Sequence, residues 1–240
     1  MKKNIFIVII SILIGIILLL SSLIYFRTNL VQKIGVKIGL IESKPQDRSD
    51  YWCIQGWTNT LKKMNIDFDI VFFGNSITRG SSFHEYFSDK KICNLGYSGD
   101  NLDGMLLRVD QIKAVNPSKV FIMAGINGLK YQTLSIFDEK YVKLVKSVKE
   151  KNPQAEIYLQ SILPVNKTIL GNKKYANNEK IIAANDILKK IAVSNGCTYI
   201  DVHSLYYKNG ELDTSSTKDG VHLLPPCYEK WAELLKQYIE

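Results

Sequence analysis

The sequence predicts an α/β fold in three layers, α/β/α, with helices on both faces of a five-stranded parallel sheet in flavodoxin-like order. Three observations lead there. Apolar runs of strand length fall near residues 69–73, 91–95, 119–124, 156–161 and 198–202, each short enough to be a strand buried on both faces. The stretches between them repeat apolar residues at helical spacing, and strand alternating with helix implies a parallel sheet covered on both sides. Pro117 and Pro153 each stand between a helical stretch and the next strand, where the helix must already have ended.

Taken in order, the first strand contains Ile70-Val71-Phe72-Phe73 and runs into Gly74-Asn75-Ser76-Ile77-Thr78. Open α/β sheets place their chemistry at such carboxyl ends of strands. A serine on a glycine-led turn into a helix lies close to amides that favour developing negative charge. The same serine reads equally well as a helix N-cap. The second strand ends in Asn94-Leu95-Gly96-Tyr97-Ser98-Gly99-Asp100 and the third in Ala124-Gly125-Ile126-Asn127-Gly128. In the two long helical stretches that follow, Tyr141, Leu144, Val145 and Val148 share one face, as do Ile181, Asn185, Leu188 and Ala192. Lysines occupy much of the opposite sides, so these faces are core. After the fifth strand come Asp219-Gly220-Val221-His222, then Pro225-Pro226 and a last amphipathic stretch through Trp231, Leu234, Leu235 and Tyr238.

The chain has three histidines, His84, His203 and His222. A serine hydrolase needs an imidazole base and a carboxylate that holds its tautomer. Asp219, three residues before His222, can reach its Nδ1 across a loop and leave Nε2 facing Ser76. Asp201 and His203, at the end of the fifth strand, form a rival pair. His84, in a loop-like stretch after Ser76, reads as solvent-facing.

Ser76, Gly96, Asn127 and His222 follow one another in four separate blocks, and in this the chain resembles the SGNH (GDSL-type) hydrolase family. The resemblance runs from about Tyr51 to the C-terminus and includes Ser98-Gly99-Asp100 and Arg108. It implies Ser76 as nucleophile, His222 as general base and then acid, and Asp219 as the residue that orients His222. It also implies an oxyanion hole made by the N–H groups of Ser76 and Gly96 with the side-chain amide of Asn127. Such donors are worth about 2.7–4 kcal/mol each in the transition state. Two positions depart from the family pattern. Asn75 stands where the name-giving motif has aspartate, and Gly128 replaces an aspartate that many members carry, which is expected to loosen the loop aiming Asn127. The implied activity is hydrolysis of esters, short acyl esters such as acetyl on an extracytoplasmic glycan in particular. The alternatives are O-acyl transfer by the same triad, lysophospholipid hydrolysis, and carbohydrate binding without catalysis. No cofactor or metal is implied.

Residues 4–26 contain no charged side chain, and about 20 apolar residues suffice to cross a bilayer. The run is longer than a signal-peptide core and no Ala-x-Ala site follows. It therefore reads as one uncleaved transmembrane signal anchor within residues 1–40, joined by a linker over 41–50 to a hydrolase domain over 51–240. A short basic start, Lys2-Lys3, and a long C-terminal domain favour a single-pass membrane protein with its domain outside the cytoplasm. Five of the 31 basic residues fall in the first 40 positions, leaving 26 basic against 23 acidic side chains in the remainder. That balance gives no reason to expect a nucleic-acid partner. Cys53, Cys93, Cys197 and Cys227 lack the spacing of a zinc site; one or two disulfides or buried thiols are the readings left open.

Overall fold

The computed structural model describes residues 14–27, 30–31, 51–173 and 175–240. The chain divides into two units, Met1–Glu42 and Ser43–Glu240. In the larger, five strands form one sheet: β1 (Ile70–Gly74), β2 (Ile92–Gly96), β3 (Lys119–Met123), β4 (Glu156–Gln160) and β5 (Thr198–Ile200). Their order is β2-β1-β3-β4-β5 and every pair is parallel, so the flavodoxin-like order expected from sequence is the one found. Because the chain leaves β1 toward one edge and returns to the other side of it as β3, a crevice opens above the carboxyl ends of these two strands. Ser76 follows β1 and Asn127 follows β3.

The helices of this unit are α1 (Tyr51–Met64), α2 (Ser76–Arg79), α3 (Phe83–Tyr86), α4 (Leu102–Leu106), α5 (Asp110–Lys113), α6 (Ile126–Leu129), α7 (Leu134–Lys151), α8 (Lys167–Leu170), α9 (Asn178–Ser194) and α10 (Tyr228–Ile239). The fifth strand stops at Ile200, two residues before the sequence suggests. Asp201 explains the early end, because its carboxylate accepts from the Ser204 N–H at 3.2 Å and from Ser204 Oγ at 2.6 Å. Those bonds turn the chain into a short 3₁₀ helix, His203–Leu205.

Successive strand residues point to opposite faces, and an aromatic row crosses one of them. Phe72, Phe121 and Tyr158 stand opposite one another in register on β1, β3 and β4, with ring centroids 5.0 and 4.5 Å apart. Phe83 of α3 packs on Phe72 at 4.4 Å, and Trp231 of α10 meets Phe83 edge-on at 5.2 Å. The Trp231 indole N–H donates to Gln160 Oε1 at 2.7 Å. On the opposite face α7 buries Phe137, Tyr141, Leu144, Val145 and Val148, and α9 buries Ile181, Leu188 and Ala192, the stripes expected from their spacing. Asn185, on the same stripe, bonds the N–H and C=O of Ile162 at 2.8 and 3.0 Å and so holds the loop after β4.

Trp231 is 1% exposed, so Trp231→Ala is expected to remove about 3–5 kcal/mol of stability and to lower Tm by about 6–20 °C in a domain of this size. Trp231→Phe keeps most of the packing and should lose less. Equal Tm values for the two variants in a thermal melt would contradict this packing account.

All four cysteines are free thiols. Cys93 is buried, and burial pushes its thiol up to about 11, so it is no thiolate at neutral pH. The expected anchor falls only partly on the described residues. Residues 14–27 form a helix with exposed side chains, and among the described residues no helix is long and apolar enough to cross a membrane. The remainder of the expected span, residues 4–13, and the expected linker over 41–50 lie outside the described residues.

Candidate active site

The turn after β1 removes one of the two readings of Ser76 left by the sequence, that of helix cap. The residue that caps α2 is Asn75, held extended at φ −99° and ψ −154°, whose Oδ1 accepts from the Ile77 N–H at 2.9 Å. With the cap taken, the Ser76 hydroxyl is not needed by its own helix, and its Oγ lies 2.8 Å from His222 Nε2. As the first helical residue, Ser76 also presents a backbone N–H that has no partner inside the helix. Two glycines let α2 sit this close to the sheet. A Cβ on Gly74 would fall 2.1 Å from Thr78 Oγ1, and one on Gly96 would fall 2.2 Å from the Arg79 backbone nitrogen. From the far side, the Tyr228 hydroxyl of α10 donates to the Ile77 carbonyl at 2.7 Å.

The histidine is held by its own loop. Asp219 Oδ2 lies 2.6 Å from His222 Nδ1, while Oδ1 accepts from the His222 N–H at 2.8 Å and the Val221 N–H at 3.0 Å. Burial raises the Asp219 carboxyl, but the bonds from the His222 ring and from the backbone of His222 and Val221 outweigh it and hold the group well below the usual carboxylate range. An ionised carboxylate only accepts, so the imidazole proton sits on Nδ1 and Nε2 is left as acceptor for the Ser76 hydroxyl. The loop is pinned at Gly220, whose φ of +84° suits glycine. Its N–H donates to Thr217 Oγ1 at 3.0 Å and its carbonyl accepts from the Asn166 N–H at 2.9 Å.

Asn127 sits in α6, entered through Gly125 at φ +129°. Its side-chain Nδ2 donates to the Asp100 carbonyl at 2.8 Å, which spends one amide hydrogen and leaves the second. The amide is therefore anchored although Gly128 supplies no carboxylate beside it.

Gly96 departs from expectation. Its N–H is already donated to Asn94 Oδ1 at 2.9 Å, and the Asn94 amide in turn donates to the carbonyls of Thr78 at 2.9 Å and Ser81 at 3.1 Å. The glycine at 96 is explained by its packing against α2, not by room for an oxyanion. Three residues on, Gly99 has φ +75° with no atom within 4 Å of where a Cβ would lie. Among the described residues no hydrogen bond takes its N–H. It belongs to the turn closed by Asp100 N–H to the Tyr97 carbonyl at 3.2 Å, the turn whose Asp100 carbonyl holds Asn127. The signal for it in the sequence was Tyr-Ser-Gly-Asp, a turn that calls for a glycine at positive φ.

The rival pair is not brought to Ser76. His203 follows β5, which two intervening strands separate from β1, about 14 Å at the usual strand spacing. Asp201 is engaged by Ser204, and the His203 Nε2 is buried with no hydrogen-bond partner among the described residues. Burial lowers the His203 imidazole, Asp201 works against that, and Lys189 adds to it. The His84 side chain is 63% exposed beside Glu85.

The sequence profile of the GDSL-like lipase/acylhydrolase family matches residues 72–230, a span containing every site residue above. Among solved structures, a protein from Streptococcus pneumonia named for platelet activating factor is 25% identical with a TM-score of 0.69, over 78% of this chain and 92% of that one. A GDSL-like lipase from Bacteroides thetaiotaomicron is 20% identical with a TM-score of 0.62, over 78% and 96%. An acetyl xylan esterase is 19% identical with a TM-score of 0.61, over 72% and 100%; the last two likenesses speak to fold alone. No curated protein matches the chain in sequence comparison. With its profile match spanning most of the chain, the protein belongs to the GDSL-like lipase/acylhydrolase family, the SGNH hydrolases, and is an ester hydrolase.

Proposed function

We propose that the chain is a membrane-anchored serine esterase that removes short acyl groups, acetyl in particular, from extracytoplasmic glycans. The observation that carries the catalytic part is the unbroken line from Asp219 through His222 to Ser76, 2.6 Å and then 2.8 Å. In this reading His222 Nε2 takes the Ser76 proton as Oγ attacks the ester carbonyl, and Asp219 stabilises the imidazolium that forms. Collapse of the tetrahedral intermediate passes the proton to the leaving alcohol and leaves an acyl-serine. Water, deprotonated by the same imidazole, then releases the acid. The oxyanion is met by the Ser76 N–H and the second hydrogen of the Asn127 amide. Gly99 N–H replaces Gly96 N–H as the third donor, since the Gly96 group is already engaged.

Substrate class rests on the openness of the site. The side chains of Asp219 and His222 are 41% and 43% exposed, so a bulky alcohol such as a sugar chain meets no deep funnel at the base. The structural likeness to an acetyl xylan esterase agrees with an acetylated glycan but concerns that protein's substrate, not this one's. The charge-free run over residues 4–26 behind Lys2-Lys3 supports an anchor with the domain outside the cytoplasm.

Two measurements test the proposal. The full chain in detergent should turn over 4-nitrophenyl acetate and acetylated xylan oligomers with water as sole acceptor. A stoichiometric burst that stalls until a sugar alcohol is added would make it a transferase. In cells the protein should sediment with membranes, resist extraction by high salt, and be cut by protease added outside the cytoplasmic membrane. Protection until that membrane is lysed would remove surface glycans as substrate.

A further inference from the structure

Arg108 entered the sequence reading only as part of a resemblance, and it lies beneath the site, not in it. Its side chain is 1% exposed and its ion-pair partner Asp100 is 0% exposed, with the guanidinium 4.3 Å above the ring of Phe73. The fork reaches three separate stretches of chain. Nε donates to Asp100 Oδ2 at 2.6 Å, Nη1 to the Leu95 carbonyl at 2.8 Å, and Nη2 to the Gly74 carbonyl at 2.7 Å. Gly74 ends β1 two residues before Ser76. Leu95 lies at the end of β2. Asp100 carries the carbonyl that holds the Asn127 amide at 2.8 Å.

We propose that Arg108 is a positioning residue for ester hydrolysis: through Asp100 it fixes the Asn127 amide relative to the strand end that carries Ser76. The inference rests on the roles proposed above for Ser76 and Asn127. Its physical ground is the choice of group. A buried ion pair is a poor device for stability alone, because apolar residues of the same volume do as well or better. A planar fork of five N–H groups is suited to holding several acceptors in fixed register, which a lysine ammonium cannot do. Oxyanion donors act by being preorganised, and a shift of about 1 Å in such a group can cost 10²-fold in rate.

The test is a double-mutant cycle on the full chain in detergent, with 4-nitrophenyl acetate as substrate and circular dichroism and Tm as checks of folding. Arg108→Lys keeps the charge and loses the fork. It should lower kcat by about 10- to 100-fold with KM within about threefold. Asn127→Ala should lower kcat by about 10²- to 10³-fold. The double variant should fall no more than about threefold below Asn127→Ala, because Arg108 then has no amide left to aim. A folded Arg108→Lys enzyme with wild-type kcat, or losses that multiply in the double variant, would overturn the positioning role. If Arg108→Lys does not fold, Asp100→Asn, which keeps the carbonyl that holds Asn127, takes its place in the same cycle under the same criteria. A wild-type kcat in Asn127→Ala would instead overturn the oxyanion reading on which the inference stands.

Discussion

Replacing Ser76 with alanine is expected to lower ester hydrolysis by about 10⁴- to 10⁶-fold, the loss seen when a serine hydrolase keeps its oxyanion donors but not its nucleophile. The fold should survive. Ser76 is half-buried, its helix is capped by Asn75, and the residue contributes no side-chain bond to α2. Stability should therefore change by no more than about 0.5 kcal/mol, as for substitutions outside the core. The measurement pairs kcat/KM for an aryl acetate with labelling by a fluorophosphonate probe, which reacts with activated serines. The wild type should carry the label on Ser76 and the variant none. Label on another serine, with Ser76 untouched, would refute the assignment.

The expected loss depends on Asn75 as much as on Ser76, and this shows how far the sequence could be read. Gly74-Asn75-Ser76 was visible as a strand-to-helix turn, yet either polar residue could have been the cap. Both side chains suit the role, and only the backbone angles at Asn75 decide between them. Strand positions and their parallel pairing were legible because both follow from apolar run length and alternation. The end of β5 was not, because the side chain of Asp201 turns the chain by bonds to Ser204 that run length does not encode. The Asp219 and His222 pair was readable since three residues of loop leave few other ways to meet. The main-chain donors were harder. Gly96 and Gly99 lie in one block, and a glycine in a sequence does not say whether it serves close packing or a positive φ. The structure separates them: Gly96 packs on the Arg79 backbone with its N–H taken by Asn94, and Gly99 stands at φ +75° with open space around it. Arg108 was legible as a residue but not as a hub, because its acceptors are carbonyls whose positions depend on strand register.

His222→Ala should cost about as much as losing Ser76, whereas His203→Ala should leave kcat/KM within about threefold of wild type. Removing the imidazole leaves the Ser76 hydroxyl with no acceptor for its proton, and members of a triad act as a unit. His203 lies beyond β4 with its Nε2 unpartnered among the described residues, so its removal touches packing against Tyr207, 4.7 Å away between ring centres, and not the reaction. Asp219→Asn should fall near His222→Ala, by about 10⁴-fold, because an amide that donates toward Nδ1 sets the wrong tautomer. The lowered carboxyl adds a condition on pH. The imidazole bond stabilises the ionised form, so the Asp219 contribution is present above the ordinary carboxylate range and is lost only as pH falls through its depressed folded value. Acidification to about pH 5, above the ordinary aspartate value of about 3.9, should leave the Asp219 charge in place. Rate lost there is therefore not a loss of the Asp219 charge. Should His203→Ala be the variant without activity, the base is the histidine after β5, and the line from Asp219 to Ser76 is not the catalytic one.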